Sequence, residues 1–299
     1  MALDLLRLRI FVNVVDRNGY SAAARHMHLA QATVSRHVQE LERELGSELL
    51  RYEQRAVHLT AAGRQVYEAA RGMIQEEEHL EETLRDLRRG RRGRVRVGAS
   101  MAFEQRYFFD RVVAPFRRAH AGVPLSLRFG HSPREAQAVI DRELDLAYVL
   151  RWELPPDASF EPLHTARFTF LAAPDHPLAR KNAVSVDEIL AAGLITAPMA
   201  RMEQFYFATV LRECGIEDHQ SELEIDGVQP RVLATEAGLG VFGTFYPDYA
   251  GEGPTGSLVP LAFDGPSPRV EVGLVAQRPS MGAPSVQEFA DWLRHLGDR

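Results

Sequence analysis

From Thr60 onward the chain places an apolar residue at every seventh position: Val66, Met73, Leu80 and Leu87, with Ala70, Glu77 and Leu84 four after each of the first three. A seam of about three heptads marks a long helix that buries one narrow stripe. The other positions are polar (Glu76, Glu78, His79, Glu81, Glu82, Arg85, Asp86), so no broad face remains for a globular core. The stripe therefore favours pairing with a second copy, and Glu77 spoils one layer. Thr60 suits the N-cap of this helix. Arg91-Arg92-Gly93-Arg94 closes it with charge and a glycine, a boundary that reads as a flexible hinge.

The segment before this helix carries shorter helical periods. Leu8, Phe11, Val12 and Val15 fall at i, i+3, i+4 and i+7, and Gly19 ends that helix. Ser21 is placed to cap a second helix, Ser21 to Met27. After the turn His28-Leu29-Ala30, a third helix is predicted from about Gln31 to Leu45. Val34, Val38, Leu41 and Leu45 form its stripe, and Gly46 is its stop. This is helix-turn-helix spacing. At 100° per residue Ala32, Arg36, Gln39 and Arg43 lie opposite the stripe, flanked by Thr33 and Ser35. Such a face suits a DNA major groove: Arg offers a bidentate fork to guanine, Gln both donates to and accepts from adenine, and short hydroxyls reach phosphate. Leu49 to Tyr52 and Ala56 to Leu59 read as two short strands around Glu53-Gln54-Arg55, the size of a wing that tracks the phosphate backbone.

Charge divides the chain in the same way. Residues 1–96 hold 17 Arg against 14 acids, while residues 97–299 hold 18 basic against 27 acidic residues, so only the first part suits a polyanion. In the acidic part short apolar strands alternate with helical patterns: Val95 to Val97, Leu125 to Phe129, Leu144 to Val149, Phe168 to Ala173, Leu223 to Ile225 and Val270 to Ala276. This order is α/β. Ser100 follows the first of these strands and is expected at a helix N-terminus, where unpaired amides and the dipole favour an anion. Catalytic readings fail. Gly98-Ala99-Ser100 lacks a nucleophile elbow, Gly238-Leu239-Gly240 lacks the third glycine of a dinucleotide loop, and the single cysteine, Cys214, has no motif around it. His26 and His28 sit two apart and share no helix face, so no metal and no cofactor are expected. Asp4, Arg7, Arg9, Asp16 and Arg17 interrupt the first twenty residues, and no uncharged apolar run approaches the roughly 20 residues of a membrane span. The expected location is the cytoplasm.

With these residues in place, the stretch Leu8 to Gly63 resembles the LysR-type transcriptional regulators. Phe11, Ser21-Ala22-Ala23-Ala24, Gln31, Val34-Ser35-Arg36, Leu41-Glu42, Leu45-Gly46, Leu49, Arg55, Leu59-Thr60 and Ala62-Gly63 stand in that family's pattern and order. The resemblance implies that Gln31, Thr33, Ser35 and Arg36 read DNA and that Arg55 lies on the wing; Gln39 and Arg51 join them as candidates. Leu50 departs from the family's Phe and Tyr52 from its common wing Arg. Weaker echoes continue at Val95 to Gly98, Glu143 to Ala147, His176 to Ala179 and Ala237 to Gly240, and Tyr107-Phe108-Phe109 is similar to the branch that controls carbon fixation.

The implied architecture is an all-α winged helix-turn-helix domain (1–60) and a linker helix for dimerisation (61–92), followed by a periplasmic-binding-protein-like α/β effector domain (93–299). Its two lobes would comprise about 93–160 with 268–299, and 161–267, with crossings near Arg151 to Arg167 and Phe263 to Val270. A small effector, anionic if Ser100 serves it, would lie between the lobes against Ser100, Met101, Thr196, Arg201, Phe205 and Phe242. The implied function is that of a non-enzymatic, sequence-specific regulator, dimeric or tetrameric, binding an interrupted palindrome in double-stranded DNA. The alternative is a small-molecule binding protein whose N-terminal helices only oligomerise.

Overall fold

The computed structural model describes residues 4–53, 56–88, 93–103, 105–198, 202–217, 221–247, 257–277 and 283–296, and the chain divides into two compact units, residues 1–90 with 141–143 and the remainder. In the first unit, α1 (Leu5–Asp16) begins at Asp4, whose carboxylate accepts from Leu6 N at 2.9 Å. It is followed by α2 (Tyr20–Met27) and α3 (Gln31–Leu45), then a hairpin of β1 (Leu50–Glu53) and β2 (Ala56–Leu59), and α4 (Ala61–Arg88). α1 is buried on two sides. Leu8, Phe11 and Val12 pack with Leu41, Leu49 and Ala70, while Ile10 and Val14 pack with Ala23, Ala24, Val34 and Val38. The expected cap at Ser21 is corrected: α2 starts one residue earlier, with Gly19 at its N-cap and no side-chain cap bond. Thr60 does cap α4, accepting from Gly63 N at 2.9 Å and donating to Glu48 O at 2.7 Å. Gly63 is required there, because a Cβ would fall 2.0 Å from Leu49 O.

The first half of α4 is packed within the chain. Val66, Tyr67, Ala70 and Ile74 pack on α1 within the chain, Tyr67 donates to Asp16, and Arg9 of α1 binds Glu77 and, at 2.7 Å, Glu78. Burial and the Asp16 bond push the Tyr67 phenol up to about 12. Glu77, a flaw in an intermolecular seam, is thus an anchor inside one chain. Farther along, Met73, Leu80 and Leu84 stay about half exposed.

The second unit opens with β3 (Val95–Ser100). Next, α5 (Gln105–Phe108) continues through a π turn (Phe109–Val113) into α6 (Ala114–Ala119), before β4 (Leu125–Gly130), α7 (Ser132–Ile140) and β5 (Leu146–Leu150). The chain then enters the 13-residue β6 (Phe160–Ala172), followed by α8 (Val186–Ala191), α9 (Met202–Glu213), α10 (Val228–Glu236), β7 (Phe242–Pro247), β8 (Val259–Pro260), β9 (Arg269–Ala276) and α11 (Pro284–Arg294). The sheet runs β4-β3-β5-β9-β6-β7, with β8 on β6. β3 is parallel to β4 and β5, whereas β9 is antiparallel to β5 and β6. β6 serves both ends of the sheet: Phe160 to Arg167 pair with β9 and Ala166 to Leu171 with β7. The expected strand Leu223 to Ile225 is reduced to an isolated bridge between Glu224 and Thr196. Among the described residues no helix is long and apolar enough to cross a membrane, and no cluster of three potential metal ligands occurs.

Candidate DNA-reading helix and effector cavity

α3 turns Val34, Val38 and Leu41 inward, which leaves Gln31, Ala32, Arg36, Gln39 and Arg43 exposed and Thr33 and Ser35 half-buried beside them. The Arg36 side chain is 66% exposed, and its Nε lies 3.9 Å from a Glu40 carboxylate oxygen. That pair is too open to hold it, and Glu40 is also engaged by Arg7 at 3.2 Å. The hairpin is fixed relative to this helix by side chains. Glu42 accepts from Leu49 N at 2.8 Å and Leu50 N at 3.2 Å, and Asn18 Oδ1 accepts from Val57 N at 2.9 Å. Arg51 is exposed on β1, and Arg55 lies outside the described residues.

In the second unit a cavity of about 80 Å³ opens at the C-terminal ends of the parallel strands β3 and β4, where open α/β sheets place their ligands. Ser100 ends β3. It is not at a helix N-terminus, because Met101 and Ala102 make a turn before α5; the helix that starts at the cavity is α7, at Ser132. Ser100 Oγ accepts from Ala102 N at 3.2 Å and shares a 3.1 Å bond with Ser132 Oγ, which accepts from Leu150 N at 3.1 Å. Thr244 on β7 donates to Ala102 O at 2.7 Å. Arg231 of α10, 3% exposed, bonds Gly227 O through Nε at 3.2 Å and lies over the Phe207 ring, 5.5 Å from its centroid. Phe168, Phe207, Phe245 and Trp152 supply aromatic wall. Gly243 is needed beside them, since a Cβ would fall 2.2 Å from Phe168 Cζ.

Of the residues anticipated for an effector, the structure brings Ser100 and Met101 together in this cavity. Thr196 is buried instead, with its N–H bonded to Leu223 O and its carbonyl to Ile225 N, while its neighbour Ala197 reaches the wall. Phe242 is corrected to core: it is fully buried among Leu171, Ile195, Val232 and Tyr246, and the residues after it line the cavity. Arg201 and the Phe205 side chain lie outside the described residues; Phe207 takes the aromatic position. The unforeseen members are Ser132, Trp152, Phe168, Arg231 and Thr244. Ser132 had a signal, since it follows β4 much as Ser100 ends the adjacent β3.

Comparison with known proteins fits this geometry. The bacterial regulatory helix-turn-helix domain of the lysR family matches residues 5–64, and the LysR substrate binding domain matches residues 88–298. The RuBisCO operon transcriptional regulator of Allochromatium vinosum is 33% identical over 189 residues, a stretch that is 62% of this chain and 61% of that protein. The HTH-type transcriptional activator CmpR of Synechocystis is 22% identical over 294 residues, covering 97% of this chain and 94% of its own. Among solved structures, CbnR, a LysR family transcriptional regulator, superposes with a TM-score of 0.63 at 17% identity, covering 99% of both chains. A full-length OxyR variant from Pseudomonas aeruginosa gives 0.62 at 21% identity, covering 98% and 95%; these are likenesses of fold. With a helix-turn-helix in the first unit, a cavity in the second and both family domains matched in order, the chain belongs to the LysR family, as a DNA-binding transcriptional regulator and not an enzyme.

Proposed function

We propose that the protein is a cytoplasmic, effector-responsive regulator whose helix α3 reads the major groove of an interrupted palindrome while the β1–β2 hairpin follows the backbone. The observation that carries this is the exposed row Gln31, Arg36, Gln39 and Arg43 on a helix whose opposite face is sealed into the core. Arg36 is the principal base reader, with Thr33, Ser35, Arg51 and Arg55 as supporting contacts. The segments act as a reading domain (1–60), a pairing helix (61–92) and a sensing domain (93–299). Homodimers joined through α4, assembled as dimers or tetramers, present two reading helices to two half-sites. A small anionic effector in the cavity of the second unit shifts that geometry.

Footprinting with purified protein on DNA selected from a random pool tests this reading. Arg36→Ala is expected to lower specific affinity by about 10- to 100-fold, the worth of a good bidentate base contact. Protection should also fall steeply with salt as counterions return to the phosphates. An unchanged footprint for Arg36→Ala, or a flat salt response, would overturn the groove assignment.

A further inference from the structure

Resting on the groove reading above, we infer that Arg7 of α1 is a positioning residue for DNA recognition: by holding Glu40, it keeps that carboxylate from capturing Arg36. Three observations lead to this role. First, Arg36, Glu40 and Glu44 stand at i, i+4 and i+8 of α3, so they form one row along its flank. Within such a row an Arg and a Glu four apart attract each other, and two Glu four apart repel. Second, Arg7 crosses from α1 to both acids of the row. Its Nη2 lies 3.2 Å from Glu40 Oε2, and its Nη1 donates to Glu44. The Arg7 side chain is 21% exposed and that of Arg36 66%, so the Arg7 contact is the less screened of the two. Asp4 Oδ2, 3.7 Å from Arg7 Nε, helps to hold the guanidinium in place. Third, Arg36 Nε stands 3.9 Å from Glu40 Oε1, beyond hydrogen-bond reach but near enough to be drawn in. His37 Nδ1 stands at the same 3.9 Å from Glu40 Oε2, so it makes no hydrogen bond there either.

One guanidinium on the far side of α3 thus neutralises the flank of the helix and leaves Arg36 to a guanine edge. Without it, Glu40 would bind Arg36 along the helix, and a base would have to displace that carboxylate. The competition weakens base recognition alone. Loss of one positive charge, by contrast, weakens binding to any duplex. The informative quantity is therefore the ratio of the dissociation constants for a scrambled duplex and for the operator selected from a random pool, measured by fluorescence anisotropy on the full-length protein. Arg7→Gln should lower this ratio by about two- to fivefold for each reading helix, the worth of a partly exposed ion pair. Adding Glu40→Gln should restore the ratio. Adding Glu44→Gln returns the same unit of charge but leaves Glu40 to Arg36, so it should not.

A ratio unmoved by Arg7→Gln would overturn the inference. So would a loss that Glu40→Gln does not rescue, which makes Arg7 a strut between α1 and α3, or an equal rescue by both acids, which reduces its part to net charge. Should Arg7→Gln fail to fold by circular dichroism, Arg7→Met, which keeps the aliphatic stem, takes its place with the same expectations. Arg36→Ala separates this failure from failure of the groove reading. If it leaves the ratio unmoved, the reading falls and the role of Arg7 with it; if it lowers the ratio while Arg7→Gln does not, only the role of Arg7 falls. In the Arg36→Ala background, Arg7→Gln should lower the ratio no further, and a further fall would place its effect elsewhere.

Discussion

Cys214 follows α9 with its side chain fully buried beside Val210, Leu211 and Ile216, and burial pushes its thiol up to about 12. Since the thiolate is the nucleophile, a thiol held protonated in this way is unreactive at pH 8. Ellman's reagent should therefore leave the native protein unlabelled over an hour and titrate one equivalent after denaturation; rapid native labelling would show that the end of α9 opens. At this scale the sequence was legible where one face of an element is wet. Arg36 and Gln39 could be placed outward because α3 has a solvent side. Phe242 could not be placed, because every residue of β7 is buried and alternation carries no information about which face meets a ligand. Arg231 escaped notice for a related reason: an arginine near a helix start reads as solvated until the fold closes over it.

Among the elements, β6 and α11 are tied by Arg294, whose Nε and Nη2 donate to the two Glu161 carboxylate oxygens at 2.8 Å each. This fork holds the Glu161 carboxyl below its ordinary value of 4.5, with its own desolvation opposing. A carboxyl depressed by folding adds stability above its unfolded pKa and loses it as pH falls through the folded one. With the Glu161 side chain 46% exposed, solvent screening limits the gain to about 0.5–1 kcal/mol. Glu161→Gln should lower stability by that amount at pH 7 in urea unfolding, and the gap should close progressively below pH 4.5; a gap independent of pH would deny the pair its role. The helices were legible in sequence because their periods and stop signals agreed, and α3 has the limits expected. β6 was recognised only in its second half. Pro162 interrupts the first half and coincides with a register shift against β9, and proline argues against a paired strand until the irregularity that accommodates it is seen.

For the whole molecule the proposed pairing surface is the far part of α4, where Met73, Leu80 and Leu84 stand about half exposed on an otherwise charged helix. Replacing Leu80 and Leu84 together by Asp should cut the mass measured by light scattering to that of a single chain. Helix content should be preserved and specific DNA affinity reduced by about 100-fold or more, since each half-site would then bind alone. An unchanged mass would remove α4 from the pairing surface. The heptads announced this helix but not that its first half packs inside the chain: a seven-residue repeat looks the same whether a stripe meets a sister molecule or its own α1, and only the packing of Val66, Ala70 and Ile74 under Leu8 and Phe11 tells them apart. The reading head consequently does not finish where its wing finishes. A recombination event that grafted the first sixty residues onto another regulator would deliver α1 with one flank bare, so specificity can be exchanged between relatives only as a cartridge that carries the opening turns of the rod along with it.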